Sequence, residues 1–180
     1  MVKFGLFGAG RIGRVHARTI ANSGRASVAY VADAIGEAAT SLAAEVGAKP
    51  ASIEEILASD VDAVLIATPT DTHAELIEQA ARAGKAILCE KPVSLSVERI
   101  TACLPVVEAA GVPLMIGFNR RFDPNFSTLQ QRLRQGEIGD VEIVTIISRD
   151  PAPPPVSYIA RSGGLYRDMM IHDFDMARFL

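Results

Sequence analysis

The chain has 180 residues, of which 49% are apolar and 22% are charged, with a net charge of −3. This composition is typical of a globular protein with room for one domain and part of a second. It excludes the basic surface that binds nucleic acid, and no apolar run is long enough to cross a bilayer. Cys89 and Cys103 fit neither a zinc motif nor a disulfide framework, so we expect a cytoplasmic protein with no metal, nucleic-acid or membrane partner.

The first part of the chain predicts strands that alternate with helices. Short apolar runs predict strands at residues 2–7, 26–32, 61–67, 85–89 and 112–118. Helical patterns lie between them at residues 12–21, 37–46, 72–83 and 96–110, with a short helix that starts at Ser52. Gly47 is expected to close the second helix, and Ser52 with Glu55 forms a capping box. The rhythm predicts an α/β Rossmann domain over residues 1–120, with a parallel, doubly wound sheet.

After residue 120 the pattern changes. Residues 123–135 predict a polar helix. Residues 141–148 alternate between apolar and polar side chains, which predicts a strand with one solvent-exposed face. Residues 151–155 are expected to form a stiff, proline-rich loop. A final helix is predicted from about residue 165, and it has no stop signal at Leu180. We therefore expect residues 121–180 to be the first part of a second domain in a longer protein.

A glycine-rich loop follows the first predicted strand. Its sequence, G-x-G-x-x-G over residues 8–13, lies between a strand and a helix, which is the context that dinucleotide binding requires. Gly8 permits a tight turn, Gly10 lets the backbone approach a pyrophosphate, and Gly13 allows the helix to pack on the strand. The first N–H groups of the helix then face the phosphates. The loop predicts a bound dinucleotide; the alternative is a glycine-rich turn without a ligand.

Asp33 lies 20 residues after Gly13, at the end of the second predicted strand. An acid at this position hydrogen-bonds the adenosine ribose and repels a 2′-phosphate, so NAD is favoured over NADP. Arg11 is close enough in sequence to reach a 2′-phosphate, which leaves dual cofactor use open. The alternative for Asp33 is a helix cap or a turn acid.

Two further loops follow predicted strands at the sheet edge where open α/β folds bind ligands. In the loop of residues 68–70, the Thr68 and Thr70 hydroxyls are expected to contact ribose or phosphate. The alternative is that Thr72 caps the next helix and Glu75 completes a capping box. In the loop of residues 90–92, Lys91 can present its ammonium to the crevice, although spacing alone favours a surface lysine.

Four segments in order carry a resemblance to a known family: FGAGRIGRVHARTI, ATPTDTHA, CEKPVS and GGLYRDMMIHDFD. The chain resembles the glucose–fructose oxidoreductase / inositol dehydrogenase (Gfo/Idh/MocA) family over essentially its whole length, and the likeness is greatest to the inositol dehydrogenase members. The combination of E-K-P with the glycine loop and the later D-x-x-x-H is specific to that family. The resemblance implies an NAD-dependent oxidoreductase acting on a secondary alcohol of a cyclic polyol or sugar, first of all myo-inositol, which gives 2-keto-myo-inositol.

Asp168 and His172 are four residues apart on the last predicted helix, so they are expected to share one face. Histidine suits the loss of a hydroxyl proton, and a carboxylate can orient the imidazole. The residues alone do not separate Asp168 from Asp173 or Asp175. The resemblance places the family's catalytic lysine, aspartate and histidine on Lys91, Asp168 and His172. His172 is then the general base, Asp168 orients it, and Lys91 holds the substrate hydroxyl and the cofactor ribose.

The motifs and the resemblance together define two sets of site residues. The expected cofactor-binding residues are Gly8, Gly10, Arg11, Ile12, Gly13, Asp33, Thr68, Pro69, Thr70, His73, Glu90 and Lys91. The expected substrate-binding residues are Asn119, Arg120, Asp150 and Asp175.

Several of these residues have simpler interpretations. His73 can be a plain histidine at a helix start, and His16 is expected to be structural, behind the glycine loop. Arg120 and Arg121 can be a solvated pair, and Asp150 a turn acid. Some relatives carry methionine at Asn119 and asparagine at Asp150, which leaves the stereoisomer of the substrate open.

The resemblance also implies an α+β second domain with an open, mostly antiparallel sheet that begins at residues 141–148, and a homo-oligomer, a tetramer, at full length. A non-catalytic NAD-binding regulator is the main alternative, because Rossmann domains also serve as sensors. A second alternative is the same chemistry on another sugar. The set of Lys91, Asp168 and His172 favours catalysis, since a sensor does not need it.

Overall fold

The computed structural model describes residues 1–154, 156–159 and 162–180. They form two compact units, Met1–Gly117 and Phe118–Leu180. The first unit contains a six-stranded parallel sheet with the strand order β3-β2-β1-β4-β5-β6. The strands are β1 (Val2–Phe7), β2 (Ala26–Ala32), β3 (Lys49–Pro50), β4 (Ala63–Ile66), β5 (Ala86–Cys89) and β6 (Leu114–Ile116). The predicted α/β class with a doubly wound parallel sheet is confirmed.

The helices of the first unit follow the strands in turn. They are α1 (Arg11–Asn22), α2 (Gly36–Val46), α3 (Ile53–Ala58), α4 (Thr70–Arg82) and α5 (Val97–Ala110). Successive strand residues enter two apolar clusters: Phe7 and Ile66 belong to one, Leu6 and Leu65 to the other. This alternation is expected for strands that are covered on both faces. The sheet is therefore fixed by burial on both sides, and its loops emerge at defined places.

Local signals in the first unit are confirmed at two helix ends. Gly47 ends α2 in the left-handed conformation with φ 72°. Ser52 accepts a hydrogen bond from the Glu55 amide (3.1 Å), and the Glu55 carboxylate accepts one from the Ser52 amide (2.7 Å), which completes the capping box before α3.

Two features of the first unit differ from the sequence prediction. The strand β3 was not predicted, because Lys49 and Pro50 form no apolar run; proline is tolerated there since β3 is an edge strand. The predicted capping box at Thr72 and Glu75 is wrong. Helix α4 begins two residues earlier, with Pro69 as its N-cap, and the Thr72 hydroxyl donates to the Pro69 carbonyl from inside the first turn.

The second unit is helical where it has regular structure. Its elements are a 3-10 helix (Asn119–Phe122), α6 (Pro124–Arg134), α7 (Val156–Ile159), α8 (Leu165–Asp168) and α9 (Ile171–Phe179). The predicted polar helix is confirmed as α6, whose N-cap Asp123 accepts from the Asn125 amide at 2.8 Å.

The predicted strand at residues 141–148 is wrong, since these residues have no regular secondary structure. A strand forms its hydrogen bonds with a neighbouring strand, and the described part of the second unit contains no strand to pair with. The alternation of apolar and polar residues indicates which side chains could share one face of a strand, but it does not indicate whether a neighbouring strand is present.

The predicted single final helix is also wrong, because it is divided into α8 and α9. The Met170 amide donates to the Leu165 carbonyl, five residues back, which closes the last turn of α8. Asp168 ends α8 and His172 lies in the first turn of α9. The prediction that both residues lie on one face of a single helix is therefore wrong, because they lie on two helices.

Candidate functional site

The glycine loop has the geometry that a dinucleotide requires. Gly8 has φ 99°, and a Cβ atom there would lie 2.5 Å from the Ala67 carbonyl oxygen. A Cβ atom on Gly13 would overlap the Gly8 carbonyl oxygen, whereas one on Gly10 would meet no protein atom within 4 Å. Gly8 and Gly13 thus serve the packing of the protein, while Gly10 leaves open space at the start of α1. No side chain caps that helix, so its first N–H groups can face a pyrophosphate.

Asp33 follows β2 and contacts the glycine loop. Its Oδ2 accepts a hydrogen bond from the Ala9 amide (2.6 Å), and its Oδ1 accepts one from the Ile35 amide (2.8 Å). A carboxylate has about four acceptor positions, so two remain for ribose hydroxyls. The two amide contacts show that Asp33 is a turn acid. They are compatible with the predicted binding of ribose, which would use the remaining acceptor positions. Arg11 lies exposed at the first residue of α1.

The loop after β4 is joined to the loop after β5 through His73. Thr68 Oγ1 lies 2.7 Å from Thr72 Oγ1. The His73 ring is 2% exposed, with Nε2 at 2.8 Å from the Thr68 carbonyl oxygen and Nδ1 at 2.8 Å from the Pro92 carbonyl oxygen. Each ring nitrogen thus faces a backbone carbonyl oxygen of a different loop, and His73 bridges the two loops at the carboxyl edge of the sheet.

Glu90 is held from three sides. Its Oε1 lies 2.6 Å from His16 Nε2, and its Oε2 accepts a hydrogen bond from the Lys91 amide at 3.2 Å. A Cβ atom on Gly117 would lie 3.1 Å from Glu90 Oε2, so only glycine fits there without displacement. Burial raises the pKa of the Glu90 carboxyl, but the hydrogen bond and charge of His16, together with the Lys91 amide and ammonium, outweigh it and keep that pKa below its usual range.

In the second unit, Arg120 belongs to a hydrogen-bonded group with Asp173 and Ser148. Asp173 Oδ1 accepts from Arg120 (2.5 Å) and from the Ser148 hydroxyl (2.5 Å), and Arg120 also donates to Ser148 Oγ at 3.2 Å. Burial raises the pKa of Asp173, but the hydrogen bonds from Ser148 and Arg120 outweigh it and hold that pKa below its usual value. Asn119 and Asp150 are exposed.

Arg121 and Asp175 form a second ion pair. Arg121 donates to both carboxylate oxygens, with distances of 2.5 to 3.1 Å, and the Asp175 side chain is 7% exposed. The guanidinium also lies 5.8 Å from the centre of the Phe118 ring and 5.4 Å from that of Phe179. The alternative of a solvated arginine pair is therefore wrong, and the structure uses Asp175 to hold Arg121.

The three predicted catalytic residues lie in different parts of the chain. Lys91 is half-buried in the loop after β5. Asp168 accepts a hydrogen bond from the Tyr158 hydroxyl at 2.8 Å, and His172 is half-buried next to Asp173. The first unit brings together the predicted cofactor residues at the carboxyl ends of β1, β2, β4 and β5.

Sequence reasoning missed the pairs His16–Glu90, Arg120–Asp173 and Arg121–Asp175. The signal for the last two was present as adjacent arginines and two aspartates spaced by two, but the sequence does not reveal their matching. Among the described residues, no three His, Cys, Asp or Glu side chains cluster in a way that could hold a metal ion. Across residues 1–154, 156–159 and 162–180, the helices are all too short or too polar to span a membrane.

The sheet order and the glycine loop define a dinucleotide-binding domain of the Rossmann class. The sequence model of an oxidoreductase family with an NAD-binding Rossmann fold, Gfo/Idh/MocA, matches residues 2–118, and the model of that family's C-terminal domain matches residues 126–180. The chain belongs to the Gfo/Idh/MocA family, as its sequence predicted.

Several relatives match almost the whole chain. The inositol 2-dehydrogenase of Rhizobium meliloti is 58% identical, over 99% of this chain and 54% of its own length. The crystal structure of a myo-inositol dehydrogenase from Corynebacterium glutamicum has a TM-score of 0.93 at 46% identity, over 99% of this chain and 54% of its own. The crystal structure of scyllo-inositol dehydrogenase from Lactobacillus casei, with bound NAD(H) and scyllo-inositol, has a TM-score of 0.86 at 31% identity. The match covers 99% of this chain and 56% of that chain. The chain thus spans about half the length of these relatives.

Proposed function

We propose that the complete protein is an NAD-dependent dehydrogenase that oxidises a secondary alcohol of a cyclic polyol, with myo-inositol as substrate and 2-keto-myo-inositol as product. The observation that carries the proposal is the presence of Lys91, Asp168 and His172 in a chain whose glycine loop fits a dinucleotide. The 58% identity to an inositol 2-dehydrogenase supports the choice of substrate.

The residues that would hold NAD are those of the glycine loop, Asp33, and the loop of residues 68–70. NAD, when bound, supplies the hydride acceptor of the reaction. The protein has to position the alcohol and manage its proton, because the oxidation removes one proton and one hydride from the CH–OH group.

His172 is proposed to take the hydroxyl proton on its imidazole, since the ordinary pKa of histidine, about 6.5, suits that transfer. Asp168 would orient the imidazole and stabilise its protonated form. The Lys91 ammonium would stabilise the negative charge that develops on the substrate oxygen. Each role belongs to a residue that the family resemblance assigned and that the sequence retains.

The polyol requires fixed polar groups, because each buried hydroxyl without a hydrogen bond is costly. Asn119, Arg120 and Asp150 are proposed to contact the substrate. Asp175 is proposed to act on the same pocket through Arg121, since its carboxylate is engaged by that side chain. We further propose that the complete protein is a homo-oligomer, a tetramer, in the cytoplasm, where the thiols of Cys89 and Cys103 stay reduced.

The test is an assay of the complete protein for NADH formation with myo-inositol, scyllo-inositol and glucose, each repeated with NADP. We expect turnover with NAD and myo-inositol, and a loss of about 10²-fold or more in His172→Ala. A preference for scyllo-inositol would favour the second candidate substrate, which the likeness to the Lactobacillus casei structure supports. NAD binding by calorimetry without turnover on any polyol would favour a regulator and contradict the proposal.

A further inference from the structure

We propose that His16 and His73 are positioning residues for Lys91, because each histidine holds one of the two residues that flank this lysine in the chain. The inference rests on the proposed function, which assigns Lys91 to catalysis. Both histidines lie on helices that begin within segments predicted to bind the cofactor: α1 begins within the glycine loop at Arg11, and α4 begins at Thr70, the last residue of the loop of residues 68–70.

The first contact holds the residue before Lys91. His16 Nε2 lies 2.6 Å from Glu90 Oε1, which joins α1 to the loop after β5. The other carboxylate oxygen accepts the Lys91 amide at 3.2 Å, and the Glu90 amide donates to the Ile66 carbonyl at 2.9 Å. The side chain and the backbone of Glu90 are both engaged, so its carboxylate fixes the direction in which the chain enters Lys91.

The second contact holds the residue after Lys91. His73 Nδ1 lies 2.8 Å from the Pro92 carbonyl oxygen, and Nε2 lies 2.8 Å from the Thr68 carbonyl oxygen. Because the ring is 2% exposed, water does not compete for these carbonyl groups. One imidazole therefore fixes the chain just after Lys91 and the start of the loop that precedes α4.

Together the two histidines restrict the backbone on both sides of a flexible side chain. A lysine has four rotatable carbon bonds, so the place its ammonium can reach depends on where its backbone is held. A misplacement of about 1 Å in an active site can cost about 10²-fold in rate. We therefore expect these contacts to affect turnover more than NAD binding, although neither histidine need touch the substrate.

The experiment uses two amide substitutions of His73 that each retain one hydrogen-bond donor. His73→Asn places its amide near the position of Nδ1 and retains the contact with Pro92. His73→Gln places its amide near Nε2 and retains the contact with Thr68 while it loses Pro92. In the complete enzyme we expect His73→Gln to lower kcat about 10- to 100-fold with little change in the KM for NAD, and His73→Asn to lower kcat clearly less than His73→Gln does.

A second readout does not require turnover. Acylation of Lys91 by an amine-reactive reagent is followed by mass spectrometry, with and without NAD. We expect NAD to slow this acylation several-fold in the wild type and in His73→Asn, and to have little effect in His73→Gln. His16 is tested in the same way: His16→Ala is expected to lose the protection, and His16→Gln, which can still donate to Glu90, to retain it.

The inference is overturned if His73→Asn and His73→Gln lower kcat and the protection of Lys91 to the same extent, because the contacts would then be structural only. It is also overturned if His16→Ala leaves both readouts unchanged. Failure of the proposed function is separate: a wild type that shows NAD protection of Lys91 but oxidises no polyol contradicts the reaction and leaves the positioning result measurable.

Discussion

Different kinds of interaction stabilise the interior of each of the two units. In the first unit, a six-stranded sheet fixes the backbone, and side chains such as Phe7 and Ile66 are fully buried. In the second unit, Ile143 and Ile147 are 86% and 76% exposed, and the side chains of Arg120 and Arg121 form ion pairs with Asp173 and Asp175. The first unit is built on backbone geometry and burial, and in the second unit two ion pairs join the 3-10 helix to α9.

This difference predicts which substitutions each unit tolerates. The stability of the first unit should be most sensitive to substitutions that add side-chain atoms where two backbone segments are in close contact, because the packed sheet cannot shift to make room for them. The second unit should be most sensitive to the loss of a charge or to acid. Three experiments test that division, and the largest effect is expected in the glycine loop.

Gly13→Ala is expected to destabilise the first unit by about 3 kcal/mol, because the added methyl group overlaps the Gly8 carbonyl oxygen and the backbone cannot yield easily. Gly10→Ala is the matched control. Its methyl group meets no protein atom, so we expect the free energy of unfolding to change by about 0.5 kcal/mol or less, while the Kd for NAD rises about tenfold.

The measurements are urea unfolding and calorimetric titration with NAD. Equal loss of stability in both variants would show that the loop is not rigid. Unchanged NAD affinity in Gly10→Ala would show that the pyrophosphate does not approach at Gly10.

Arg121→Leu is expected to lower stability in the second unit by about 2 kcal/mol. The substitution leaves the buried Asp175 carboxylate without its bidentate partner, and the exposed part of the arginine reduces the cost. Hydrogen exchange in α9 should become faster, while exchange in α1 stays unchanged. Arg121→Lys retains the charge but not the bidentate geometry, so its effect should be intermediate. Faster hydrogen exchange in both units would contradict the expectation that this ion pair stabilises the second unit alone.

The smallest effect is expected from acid at Asp173. Burial raises its pKa, but Ser148 and Arg120 outweigh burial and lower it in the folded state. This contribution to stability is complete above about pH 4, the value for an unfolded aspartate, and is lost as the pH falls through the lower folded value. The urea midpoint should therefore fall less between about pH 5 and pH 3 in Asp173→Asn than in the wild type. Asp140→Asn, at an exposed position, should behave like the wild type.

The parts of the fold that depend on local sequence were predictable. The G-x-G-x-x-G loop, the aspartate at the end of β2 and the apolar strands are each set by residues within a short window. The predictions failed where the structure depends on a distant partner. Residues 141–148 alternate like a strand, but the described residues of the second unit include no strand for them to pair with. The residues between α8 and α9 include no glycine or proline that would predict the break.

In the candidate site, too, contacts between residues far apart in the sequence were not predicted. The resemblance singled out Lys91, Glu90 and His73, and His16 was expected to be structural, but the contacts of the two histidines with the loop after β5 were not predicted. His16 and Glu90 are 74 positions apart, and Arg121 and Asp175 are 54 apart. Such pairs are created when distant elements pack together, and they leave no periodic signal in one sequence.

The hydrogen bond between Asp33 and the Ala9 amide has a consequence for anyone who wishes to change the cofactor. The usual route to NADP replaces the acid at this position to admit the 2′-phosphate. Here the same replacement removes the acceptor that holds the glycine loop, so it alters loop order together with selectivity. A redesign of this chain therefore has to restore an acceptor for the Ala9 amide before the preference between the two cofactors can be judged.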